Sequence, residues 1–143
     1  MGFFSKLFGG DRHKQESVQA AIRAEINISD AISAHMKWKG RLQSYLDGTS
    51  TEVLDPMVIC RDDQCVLGKW IHGPALHYFH DDEGFHKLRS DHATFHFVAG
   101  NVIKKVQDND RDGADVLMRN DYAHASREVI HDLTELNKHL NGE

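Results

Sequence analysis

The chain has 143 residues, 40% of them apolar and 27% charged, with a formal net charge of −5. This composition predicts one ordinary soluble domain, long enough to bury about two thirds of its unfolded surface, and it argues against a nucleic-acid partner, which asks for a basic face. No stretch approaches the roughly 20 apolar residues that span a bilayer, and two cysteines are too few for a disulfide framework, so a reducing cytoplasm is the expected setting.

Residues 1–15 stand apart as a flexible or docking tail ahead of a helical unit over 16–143. Phe3, Phe4, Leu7 and Phe8 fall on one side of a short helix cut off by Gly9-Gly10. That pattern fits a disordered tail or a weak docking segment for a membrane surface or another protein. The apolar run is too short for a secretory signal, and Lys6 does not fit a myristoylation signal.

A long helix is expected over 17–46, with a stripe of Val18, Ile22, Ile28, Ile32, His35, Leu42 and Tyr45 or Leu46, ended by Asp47-Gly48. Residues 49–82 are less regular. They read as a short helix over 51–60 with Pro56 in its first turn, the polar turn Arg61-Asp62-Asp63-Gln64, a second short helix opening at Cys65 and stopping near Gly73-Pro74, and a loop through His77 and His80. Over 83–106 the residues Leu88, His92, Phe95, Ala99, Val102 and Val106 recur in helical steps. A capped turn over 108–113 leads to a last helix with the stripe Ala114, Met118, Tyr122, Ala125, Val129, Leu133, Leu136 and Leu140. The pattern has no internal repeats. It predicts an all-α, antiparallel four-helix-bundle-like domain whose second helix is segmented.

His92 occupies a stripe position where a hydrophobe is expected, and His96 lies one turn further on. Imidazoles at i and i+4 are neighbours and can reach one metal ion. The ordinary alternative is a core histidine bonded to a carbonyl, and such a spacing arises by chance in a chain with 11 histidines. Two further residues share the same logic: His35, on the stripe of the first helix, and Cys65, at the entry to a short helix. A cysteine beside three histidines is a tetrahedral zinc set, although these separations do not select one by themselves. Trp38 and Trp70 are expected to pack as dry walls around such a site. His72, His77, His80 and His86 read as surface residues, and His124, His131 and His139 as solvated or satisfied. Cys60 is a small buried hydrophobe or a resolving thiol for an oxidised Cys65.

Three motifs carry a resemblance: His35-Met-Lys-Trp38-Lys39, Cys65-Val-Leu67-Gly68-Lys69-Trp70, and the run from Phe85 to His96 that contains Arg89-Ser-Asp-His92-Ala-Thr-Phe95-His96. In order and separation, residues of about 30–105 resemble the chemoreceptor zinc-binding (CZB) domain family, found mostly in bacterial chemoreceptors and diguanylate cyclases. The resemblance implies zinc held by His35, Cys65, His92 and His96, with Trp38, Trp70, Gly68 and Phe95 around them, in a helical bundle that often dimerises. Family members usually carry this domain beside a signalling or catalytic module, and here residues 107–143 hold only another helix. The expectation is therefore a zinc-binding sensor and not an enzyme, since four protein ligands fill a tetrahedral shell. Zinc occupancy or Cys65 oxidation would be read by a second copy or by a chemoreceptor- or cyclase-type protein in trans. Met118 and Tyr122 are expected as exposed stripe positions suited to a homodimer. The rival expectations are a purely structural zinc site, a hemerythrin-like di-iron bundle using His131 and Glu135, and, last, a zinc hydrolase lacking one of the four ligands.

Overall fold

The computed structural model describes residues 12–142, with side chains described from Glu16. Every regular element among them is helical, as the stripes predict. The expected helix over 17–46 is in fact two, α1 (Arg12–Glu25) and α2 (Ile28–Asp47). Asn27 causes the break: its backbone is extended and its side chain accepts the Asp30 N–H at 3.0 Å. An asparagine offering this cap starts a new helix more readily than it continues an old one. Ile22, Ile26 and Ile28 are buried on both sides of the break. Residues 12–15 thus belong to α1 and not to a tail, while Phe3, Phe4, Leu7 and Phe8 lie outside the described residues.

The irregular segment resolves into three short helices. In α3 (Pro56–Ile59) Asp55 caps and proline takes the first turn. In α4 (Val66–Ile71) the cap is the Cys65 sulfur. The third, α5 (Pro74–Phe79), stands where a loop through His77 was expected. Its proline has φ already set for a first turn, and Phe79 is fully buried, stacked on Phe85 at 5.6 Å. Helix α6 (Glu83–Gln107) follows, capped by Asp82. The last helix runs as α7 (Arg111–Leu117), a π-type turn (Met118–Tyr122) and α8 (Ala123–Leu140).

Side-chain pairings give the directions. Tyr45 and Leu54 meet Gln107 at one end of the bundle, and His35 lies beside His92 and His96 in its middle, so α2 and α6 run the same way. Lys87 meets Glu128 and Asp132, and Phe95 packs on Tyr122, so α8 runs against α6. The segment 49–82 is the crossover that carries the chain back to its starting end. On the way it lays α3 against α6, where a side chain on Gly100 would collide with Cys60 and the Pro56 carbonyl. At the closed end, Gln19 and Arg23 of α1 donate to the carbonyls of His139 and Leu140.

The stripe of the last helix is buried throughout, Met118 and Tyr122 included. These two are therefore core, which corrects their assignment to an exposed dimer surface. Two successive steps of four, from Ala114 to Tyr122, would rotate an α-helical stripe off the core. The wider turn takes up the extra residue and keeps the stripe aligned. No helix among the described residues is long and apolar enough to cross a membrane.

Candidate metal centre

Three separate segments deliver the site. α2 presents His35, α6 presents His92 and His96 one turn apart, and the turn before α4 presents Cys65. One donor atom of each of the four lies within 4.8 Å of the others. The three histidines are almost fully buried, with His92 at 0% exposure. Cys65 is half-buried, its sulfur accepting the Gly68 N–H at 3.3 Å as the cap of α4.

Hydrogen bonds on the far side of two rings fix their orientation. His35 Nδ1 faces the Ala31 carbonyl at 2.7 Å, and His96 Nδ1 faces the Ile59 carbonyl at 3.0 Å. A carbonyl only accepts, so both Nδ1 atoms carry the proton and both Nε2 lone pairs point inward. His35 Nε2 has no partner although it is buried. His92 Nε2 and His96 Nε2 are 3.1 Å apart, and the Cys65 sulfur lies 3.4 and 3.6 Å from them. A tetrahedral zinc ion, with its usual bond lengths, sets N···N edges of about 3.3 Å and S···N edges of about 3.5 Å. The observed edges match, and the donor set of one thiolate and three imidazoles is the one a borderline-soft cation prefers. The residues fit zinc.

Burial governs the electrostatics. It pushes His35, His92 and His96 below the ordinary imidazole range, His92 to about 2, where the neighbouring His96, His35 and His72 add to the effect. Neutral imidazoles are the ligating form. Burial pushes the Cys65 thiol up, against the stabilising Gly68 N–H, so a cation entering here displaces a proton from sulfur.

The residues expected around the site are near it in different ways. The Phe95 ring packs on His35 at 5.2 Å and on His96 at 5.4 Å, a direct wall. Trp70 is buried, and its Nε1 donates to Glu25, which also accepts from Tyr78 Oη. Trp38 is half-buried, with the Arg41 guanidinium 3.8 Å over its ring. A Cβ on Gly68 would come within 1.7 Å of the Asp62 carbonyl, so only glycine lets the Cys65 cap close over that turn.

Asp62 is the residue that pattern reading passed over as part of a polar turn. Its carboxylate lies 2.8 Å from His72 Nε2 and 4.0 Å from His92 Nδ1, an atom with no other partner. Carboxylates behind ligand imidazoles set tautomer and basicity. No spacing announces such a residue. The only signal is that every ligating ring needs something behind it.

Other candidates fall outside the centre. The Cys60 thiol donates to the Met57 carbonyl and is not one of the clustered donors. Of the surface histidines, His72 pairs with Asp62, His80 with Asp81, and His86 with the His80 carbonyl. The di-iron alternative needs carboxylates among the core imidazoles. The acidic cluster in the bundle, Asp91, Glu128 and Asp132, instead surrounds the Lys87 ammonium at 2.5, 3.0 and 3.2 Å.

A comparison with protein families matches residues 35–103, just under half of the chain, to the chemoreceptor zinc-binding domain. No curated protein and no solved structure matches the chain. The matched span begins at His35 and includes Cys65, His92 and His96, the four residues that the geometry brings together, and the match and the cluster support zinc as the metal.

Proposed function

We propose that this chain, matched over 35–103 to the chemoreceptor zinc-binding domain, is a zinc-dependent sensor whose switch is Cys65. The observation that carries the reading is the convergence of four donor atoms from α2, α4 and α6 within 4.8 Å. Zinc bound there supplies a positive charge that favours the Cys65 thiolate and links elements far apart in sequence.

The chain's own residues make the sensor. The carbonyls of Ala31 and Ile59 hold His35 and His96 in the ligating tautomer, and the Gly68 N–H steadies the sulfur. The two α6 histidines sit on a long, rigid helix. Cys65 instead sits at the mouth of a six-residue helix reached by irregular chain, so it is the donor best placed to leave. Attack of the thiolate on hydrogen peroxide forms an S–O bond, breaks the O–O bond and releases hydroxide, giving a sulfenic acid. With hypochlorous acid the sulfur takes the chlorine and releases hydroxide, and water then displaces chloride to give the same sulfenic acid. The oxidised sulfur is a poor ligand, and its departure frees α4 to move relative to α6. A second copy of the chain, or a signalling protein in trans, would read that movement.

The test is metal release from the full chain, purified without added metal and titrated with stoichiometric peroxide or hypochlorous acid. The expected result is about one zinc per chain, lost in step with Cys65 oxidation and rebound after thiol reduction. Cys60→Ser should leave the release intact. Zinc that stays bound while Cys65 oxidises would contradict the switch and leave a structural metal.

A further inference from the structure

A cavity of about 370 Å³ opens between α2 and the junction of the π-type turn with α8, and the metal centre makes no use of it. We propose that this cavity is a binding site for a small organic phosphate. Its volume lies in the range of small-ligand sites. The polar lining comes from Lys39 and Gln43 on α2, Arg119 and Tyr122 on the π-type turn, and Ser126 and Arg127 on α8. Among the described residues no acidic side chain lines it.

Three features make this a built site and not a cationic patch. Two of the cations are uncommitted: among the described residues Lys39 and Arg127 have no ion pair or hydrogen bond. Arg119 also lines the cavity, with its Nε donating to Asp115 outside it. Second, Tyr122 is 2% exposed, yet its buried hydroxyl lacks a well-formed hydrogen-bond partner, with Ser126 alongside. Burial pushes its ionisation up, so the hydroxyl keeps its proton, and a buried donor without a well-formed acceptor is costly. Third, the π-type turn contributes Arg119 and Tyr122 to the same cavity. Such turns sacrifice regular hydrogen bonding and collect at functional sites.

The chemistry selects the ligand. Two uncommitted cations, with Arg119 shared with Asp115, favour a dianion over a monoanion, and a guanidinium group pairs with phosphate oxygens through two bonds at once. Met118 and Ala123 complete the lining with apolar surface, which suits an organic body attached to the phosphate.

The experiment is a titration of the full-length, zinc-loaded chain, isotope-labelled for amide NMR, with phenyl phosphate, inorganic phosphate and phenol in parallel. Phenyl phosphate is expected to bind saturably at one site, shifting the amides of residues 118–127, and to bind more tightly than either fragment. Lys39→Ala and Arg127→Ala change exposed side chains and should each weaken it about tenfold. Tyr122→Phe keeps the ring in the core and should weaken it as well, with zinc content unchanged. The proposal is overturned if no saturable shift occurs. It is equally overturned if inorganic phosphate binds as tightly as phenyl phosphate, which marks an adventitious ion only, or if binding survives both Lys39→Ala and Arg127→Ala.

Discussion

Three imidazoles share the middle of this bundle only while they are neutral, and neutrality is what burial imposes on His35, His92 and His96. The price falls on Asp62, whose carboxylate stands 4.0 Å behind His92 at a ring atom with no other partner. A hydrogen bond from that ring atom to Asp62 would fix the His92 tautomer, as the carbonyls of Ala31 and Ile59 already do for the other two. Asp62→Ala should therefore lower zinc affinity by about 10- to 100-fold, read by competition with a chromophoric chelator, while the circular dichroism of the helices stays unchanged. Unaltered affinity would remove Asp62 from the site. The apolar stripes and a helix entry made His35, His92 and Cys65 candidates, and it was the resemblance of three motifs in register to a zinc-binding family that joined them with His96 as one set. Asp62 was not legible, because a residue acting from behind a ligand obeys no spacing rule.

The long helices were legible because their stripes are periodic, and the core residues they name are buried. What periodicity hid was punctuation. Asn27 reads as one more polar residue in a long pattern until its side chain is seen capping α2, and Pro74 reads as a stop although it starts α5. Both outcomes depend on a cap or a first-turn geometry that competes with the simple pattern. The short helix α4 shows how little room such elements have. Gly68→Ala drives a methyl group into the Asp62 backbone and should cost about 2–3 kcal/mol, measured as a lower melting temperature together with weaker zinc binding. Gly40, inside α2 with nothing within 4 Å of an added Cβ, supplies the contrast. Gly40→Ala should stabilise by about 0.5–1 kcal/mol through helix propensity alone. If the two substitutions behaved alike, the close approach over Cys65 would not matter to the fold.

The molecule as a whole is a bundle stitched across its middle by the metal centre, and its stability without metal should follow the charges buried there. The three histidines bind fewer protons folded than unfolded, because their folded values lie below 6.5. Their contribution is complete above pH 6.5 and is lost as the pH falls below it, over a range that reaches about 2 for His92. Cys65 acts at the other end. Its folded value is raised above 9.0, so its contribution is present below that pH and is lost as the pH rises past it. In metal-free protein these four groups therefore favour the fold most between those limits, while Asp132, raised to about 8, loses its contribution as the pH rises toward that value. Zinc-loaded protein should keep its stability to lower pH, because protons must displace the metal first. Histidine ring signals of the metal-free chain that titrate at 6.5 for His35, His92 and His96 would contradict the buried, neutral histidines.

The coordination shell itself tests the central claim most directly. Zinc-edge X-ray absorption on the full chain, with metal content measured on the same sample, reports the number and kind of donor atoms. About one zinc per chain is expected, with one sulfur and three imidazole nitrogens, and in Cys65→Ser loss of the sulfur with much weaker binding. A shell without sulfur, full affinity in Cys65→Ser, or iron in place of zinc would contradict that claim.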